Sequence, residues 1–114
     1  MDAEHEPYVR RLSELFDQVS LPPEFLAQHD RVVAGLYDDS RQVQPGSVFV
    51  AVRGTHADGR QFVEQAVKRG AAVIVGEDVA PREGVLVVNV PDARRALARL
   101  AANWHRLNTP PAAN

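Results

Sequence analysis

The strongest constraint on the fold is a strand, helix, strand pattern between residues 47 and 76. Residues 47–52 (SVFVAV) and 71–76 (AAVIVG) are apolar and β-branched, which is typical of buried strands. Between them, Gly70 stands where a helix would end in a left-handed residue. The apolar positions of that helix recur at helical spacing: Phe62, Val63, Ala66 and Val67. Two buried strands joined by a helix predict parallel neighbours with a right-handed crossover.

Patterns on both sides of this unit predict the other elements of an α/β domain. An amphipathic stripe indicates a helix over residues 8–19, which Pro22 and Pro23 would stop. Residues 31–38 (RVVAGLYD) and 85–90 (VLVVNV) have the composition of strands. We therefore expect a small, three-layer-like α/β domain with a mixed, largely parallel sheet of about four to five strands and flanking helices.

A long helix is predicted to close the domain, beginning at Pro91 or Asp92. Its apolar stripe is expected to face the core and consists of Ala93, Ala96, Leu97, Leu100, Ala101, Trp104 and Leu107. The residues after it, 108–114 (NTPPAAN), are small, polar and proline-rich, which is the composition of a linker.

The composition excludes several classes of function. The chain has 114 residues, the length of one ordinary domain, and its formal net charge of -2 gives no global attraction for nucleic acid or an anionic membrane. It has no cysteine, and its four histidines lack metal-ligand spacing. No apolar stretch reaches the length of a membrane span. We expect a soluble, cytoplasmic protein that binds no metal, nucleic acid or membrane.

The segment RGTHADGRQF, residues 53–62, looks like a phosphate-binding loop without its catalytic residues. Gly54 and Gly59 have the glycine spacing of a P-loop. Arg60 and Gln61 stand where Lys and Ser or Thr would hold the phosphate and Mg²⁺, so ATP hydrolysis is not expected. Because the glycines let a ligand approach the outward N–H groups of the following helix, the segment is either a binding loop or a plain turn.

A second polar segment follows the preceding predicted strand and consists of Asp39, Ser40 and Arg41. If the strands are parallel, both segments lie at one edge of the sheet, where ligand crevices of open α/β sheets form. Ser40 would either donate its hydroxyl to a ligand or cap the turn. Asp39 and Arg41 are expected to form a structural pair.

The order of these motifs resembles the N-terminal domain of the Mur ligases over roughly residues 32 to 107. Asp-Ser-Arg, Pro-Gly, Phe-Val-Ala, a Gly and then Asp-Gly before a helix, Gly-Ala before a strand, and Asp-x-Arg at the last helix follow one another as in that family. Asp-Ser-Arg favours the MurE type, which makes UDP-N-acetylmuramoyl tripeptide. The sister ligase that adds D-alanyl-D-alanine usually has Asp-Thr-Arg and is the first alternative. A non-enzymatic α/β interaction module is the second.

The resemblance implies a division of labour within an ATP-dependent amide ligase of peptidoglycan synthesis. Residues 1–107 would bind the UDP end of a UDP-N-acetylmuramoyl dipeptide, and residues 108–114 would begin a linker to a central domain. ATP and Mg²⁺ would bind in that central domain, and meso-diaminopimelate or lysine in a C-terminal domain. This chain alone is therefore expected to be inactive and to hold no cofactor.

The resemblance also assigns candidate contacts, none of them catalytic. Asp38 and Ser40 match the family's first uridine-nucleotide contacts, while Thr55, His56 and Ala57 match the second. Residues that would support this site are Asp39, Arg41, Gly54, Gly59 and Arg60.

Overall fold

The computed structural model describes residues 10–19, 21, 23–52 and 59–108. In chain order the elements are β1 (Arg10–Arg11), α1 (Leu12–Leu15), α2 (Pro23–His29), β2 (Val32–Val33), β3 (Leu36–Tyr37), a 3₁₀ turn (Ser40–Gln42), β4 (Val48–Val50), α3 (Gly59–Lys68), β5 (Val73–Gly76), β6 (Leu86–Asn89) and α4 (Ala93–Asn108).

The centre of the fold is a four-stranded sheet in which the strands follow one another in chain order, β3-β4-β5-β6. All neighbours are parallel, and Val48 pairs with Leu36 on one side and with Val73 on the other. The predicted parallel strand, helix, strand unit is thus confirmed as β4, α3 and β5. β1 and β2 pair antiparallel and form a separate two-stranded sheet.

Both faces of the parallel sheet are covered, which confirms the three-layer arrangement. Alternation along β4 sends Val48 and Val50 to one face and Phe49 to the other, as expected for a strand. The larger core packs under α1 and α4 and contains Leu12, Leu15, Phe16, Val33, Val48, Val50, Val73, Val75, Val88, Val90, Ala93, Ala96 and Leu100. The smaller core packs under α3 and contains Val43, Phe49, Val63, Ala66, Ala71 and Ile74.

The N-terminal part of the described chain differs from the sequence prediction. Within residues 10–19, the helix expected over residues 8–19 has only the four residues of α1. Arg10 and Arg11 pair with β2 instead, and beyond α1 the residue Gln18 has a left-handed φ of 68°. The side-chain amide of Asn103 caps this end by donating to the backbone oxygens of Leu15 and Asp17, both at 2.8 Å. Asn103 is buried, with 3% of its surface exposed.

Two further boundaries in this region were predicted incorrectly. Pro23 does not stop a helix but begins α2, since proline lacks only an N–H that the first helical position does not need. Residues 31–38 form two short strands, β2 and β3, that belong to different sheets.

The two long helices begin and end largely as predicted. Gly70, just beyond α3, has a φ of 101°. Asp92 caps α4 by accepting from the backbone N–H of Arg95 at 3.0 Å. The predicted apolar stripes are wrong at two positions, since Phe62 is 40% exposed and Ala101 is exposed. No helix in the described ranges combines the length and apolar character that crossing a membrane requires.

Candidate functional site

The parallel sheet places the carboxyl ends of β3 and β4, the strands that the two sequence-predicted segments follow, at the same edge. The carboxyl ends of parallel strands share one edge, and β3 and β4 are direct neighbours. Asp38 to Arg41 follow β3, and the glycine loop follows β4 and leads into α3. This edge is where open α/β sheets bind ligands. Gly54, Thr55, His56 and Ala57 lie outside the described residues.

Asp39 and Arg41 form the structural pair that the sequence predicts. The Asp39 carboxylate accepts from the Arg41 backbone N–H at 3.0 Å and from its guanidinium at 3.0 and 2.8 Å. Hydrogen bonds from Arg41 lower the pKa of Asp39 to about 2. The pair caps the 3₁₀ turn, so it fixes the backbone on either side of Ser40.

Ser40 joins the turn after β3 to α3. It is 3% exposed, and its hydroxyl donates to the Oε1 atom of Gln65 on α3 at 2.5 Å. Gln65 was missed by sequence reasoning, since it lies 25 residues away and stands in a helix with no motif around it. The Ser40–Gln65 bond therefore fastens the turn after β3 to the helix that follows the glycine loop.

Further contacts hold α3 on both of its flanks. Arg69 donates from Nε to the backbone oxygen of Val43 at 3.2 Å, on the same flank as Gln65. On the opposite flank, Glu64 accepts from Arg82 in the β5–β6 loop at 2.5 and 2.7 Å. The Arg82 guanidinium lowers the pKa of Glu64. The middle and the end of α3 are thereby held in place, in part against the segment after β3.

The remaining candidates at this edge are less constrained. Asp38 is exposed. Gly59 and Arg60 are the first two residues of α3, so their backbone N–H groups belong to the first turn, which lacks partners within the helix. Within the described ranges, no group of three His, Asp or Glu side chains could hold a metal ion.

A groove of about 470 Å³ lies elsewhere, between the segment after α1, the end of β6 and α4. Its lining includes Val19, Pro91, Arg95 and Arg99, and it includes none of the site residues predicted from the sequence. Asp92, on its rim, is already occupied in capping α4. The sequence-predicted site therefore stays at the carboxyl ends of β3 and β4, away from this groove.

Comparison with known proteins points to one family. Residues 32–105 match the family model described as "Mur ligase family, catalytic domain". The UDP-N-acetylmuramyl-tripeptide synthetases of Roseiflexus sp. and Deinococcus radiodurans are 51% and 44% identical over 75 and 95 residues, covering 64% and 81% of this chain. The UDP-N-acetylmuramoyl-L-alanyl-D-glutamate–2,6-diaminopimelate ligase of Gloeobacter violaceus is 40% identical over 97 residues, covering 83% of the chain. The chain spans only 15 to 19% of the length of these relatives.

Solved structures share the fold. The UDP-N-acetylmuramoylalanyl-D-glutamyl-2,6-diaminopimelate–D-alanyl-D-alanyl ligase of Acinetobacter baumannii superposes with a TM-score of 0.62 at 22% identity. The match covers 90% of this chain and 23% of that one. At this identity the likeness concerns the fold alone.

Proposed function

The chain belongs to the Mur ligase family, and from this membership we propose that it binds the uridine diphosphate end of a UDP-N-acetylmuramoyl peptide for a peptidoglycan-precursor ligase. The observation that carries the proposal is the Ser40–Gln65 bond, which joins the turn after β3 to the helix that follows the glycine loop, at the edge where open α/β sheets bind ligands. Asp38, Ser40 and the glycine loop with Thr55, His56 and Ala57 would supply the contacts.

Within the family, we propose the tripeptide-forming type, with UDP-N-acetylmuramoyl-L-alanyl-D-glutamate as substrate. Relatives named as tripeptide synthetases or diaminopimelate ligases are 38 to 51% identical to the chain over the matched regions. The D-alanyl-D-alanyl ligase is only 22% identical and resembles it in fold. The Asp-Ser-Arg triplet at Asp39 favours the same type.

The chemistry of ligation would be carried by other parts of a longer ligase. ATP and Mg²⁺ would bind in a central domain and the incoming amino acid in a C-terminal domain. This chain would contribute binding and orientation, which makes the acceptor carboxylate available at a fixed position. Since the substrate is a nucleotide-activated precursor and the reaction uses ATP, we propose that the protein acts in the cytoplasm.

Titration of the ¹⁵N-labelled chain with UDP tests the proposal. We expect amide shifts to change at residues 38–41 and in the glycine loop through the first turn of α3, and we expect ADP to compete poorly. Removing one neutral hydrogen bond costs about 0.5–1.5 kcal/mol, so Ser40→Ala should weaken UDP about two- to twelve-fold and remain folded. If saturating UDP shifts neither segment, the chain is an interaction module with this fold and the proposal is wrong.

A further inference from the structure

We propose that Gln65 is a positioning residue that turns the Ser40 hydroxyl into a hydrogen-bond acceptor toward the ligand. Ser40 would then select an N–H or O–H group of the nucleoside and would not contact the diphosphate. The inference rests on the proposed nucleotide site and assigns a role to a residue outside the motifs.

The single proton of the Ser40 hydroxyl determines what Ser40 can offer to a ligand. A serine hydroxyl has one proton to donate and two lone pairs to accept with. Ser40 donates its proton to Gln65 Oε1 at 2.5 Å. What Ser40 can still offer to a ligand is a lone pair, and the matching group on the ligand must be a donor.

The position of Gln65 is set by the helix that carries it, α3. Its helix is held on one flank by Arg69 on the backbone oxygen of Val43 and on the other by the pair of Glu64 with Arg82. The Oε1 atom of Gln65 therefore approaches Ser40 from a fixed helix. The orientation of the hydroxyl is set before any ligand arrives, and this preorganisation favours one kind of partner.

The residues next to Ser40 in the chain carry charge. Ser40 follows two carboxylates, those of Asp38 and Asp39. The Asp39 carboxylate is paired with Arg41, and Asp38 is exposed. A diphosphate placed at Ser40 would meet a hydroxyl without a free proton. An imide N–H of uracil or a ribose hydroxyl would find an acceptor in the lone pairs of Ser40, which is the favourable arrangement.

The experiment measures dissociation constants for UDP and for three analogues, each lacking one donor: 3-methyl-UDP, 2′-deoxy-UDP and 3′-deoxy-UDP. In the unmodified chain, one analogue should bind about two- to twelve-fold more weakly than UDP, the factor expected for one lost hydrogen bond. In Ser40→Ala that difference should disappear, because the acceptor is gone. Inorganic pyrophosphate should bind the two proteins equally.

Variants of Gln65 test the positioning role itself. Gln65→Glu keeps an acceptor for the Ser40 proton and should keep the discrimination among analogues. Gln65→Leu removes the acceptor and should reduce the discrimination among analogues. Gln65→Lys can only donate to Ser40 and should also lose it, which provides a second variant if Gln65→Leu does not fold. Gln44→Leu, an exposed glutamine before β4 and hence at the opposite edge, is the matched control and should discriminate as the unmodified chain does.

Two results would overturn the inference while leaving the proposed function in place. One is unchanged discrimination in Gln65→Leu or Gln65→Lys, which would reduce the Ser40–Gln65 bond to a purely structural contact. The other is a loss of pyrophosphate affinity in Ser40→Ala, which would assign Ser40 to the diphosphate. Absence of UDP binding to the unmodified chain would instead reject the nucleotide site and the inference together.

Discussion

At the scale of single residues, the pair of Asp39 and Arg41 determines how the turn after β3 responds to acid. The pKa of Asp39 is about 2 in the folded chain, below the value of about 3.9 typical of an unfolded aspartate. A lowered folded-state pKa means that the pair contributes stability above about pH 4. That contribution is lost as the pH falls through about 2.

We predict that Arg41→Gln raises the pKa of Asp39 toward its ordinary value, because the guanidinium bonds are the main cause of the shift. Carboxyl ¹³C shifts followed from pH 6 to pH 1.5 would measure it. Arg94→Gln, an exposed arginine of α4, serves as the control and should leave the titration of Asp39 unchanged. An ordinary pKa of Asp39 in the unmodified chain would mean that the pair does not form in solution.

Of the contacts made by this turn, the sequence predicts the local one and does not predict the long-range one. Asp39 and Arg41 are two residues apart, so their pairing follows from local chain geometry and was predicted. Ser40 and Gln65 are 25 residues apart, and their contact depends on how α3 crosses the sheet. The sequence therefore predicted Ser40 as a site residue but predicted neither its partner nor the use of its proton.

At the scale of elements, the end of α3 depends on a glycine with two separate functions. Gly70 has a φ of 101°, and a Cβ atom added there would lie 2.9 Å from the Cα atom of Pro45. Gly84, in the β5–β6 loop, has a φ of 83° but no heavy atom within 4 Å of an added Cβ. A comparison of the two positions thus distinguishes the cost of the left-handed backbone from the cost of the steric contact.

We predict that Gly84→Ala lowers the free energy of unfolding by about 1–2 kcal/mol, the cost of a left-handed residue. Gly70→Ala should cost about 1–3 kcal/mol more, because the loop at Pro45 must also move. Urea unfolding of the two variants and the unmodified chain gives both values. Equal losses would mean that the contact with Pro45 relaxes freely.

The elements that were predicted correctly have ends that are marked by residues in their own sequence. In the β4, α3, β5 unit, buried β-branched runs and Gly70 mark the ends of each element. The short N-terminal elements lack such marks. The end of α1 depends on Asn103, which is 88 residues from Leu15, and no local pattern reports that contact.

At the scale of the whole molecule, the question is which chemistry this chain can perform alone. We predict no ATP turnover, because the glycine loop is followed by Arg60 and Gln61 where a P-loop needs Lys and Ser or Thr. Phosphate release with ATP and Mg²⁺ would measure it, with a P-loop ATPase as the positive control. Turnover above that of the heat-inactivated chain would contradict the prediction.

The bonds of Asn103 have a consequence for the order in which the chain folds. The strands β3, β4, β5 and β6 are neighbours in chain order, so each can pair with the one synthesised just before it. The segment around Leu15 and Asp17 is made early, yet the amide that caps it is made 88 and 86 residues later. Contacts of such long sequence separation close slowly, since the loop entropy must be overcome first. During synthesis on the ribosome, the segment around Leu15 and Asp17 should therefore emerge before the parallel sheet and be among the last parts to become fixed.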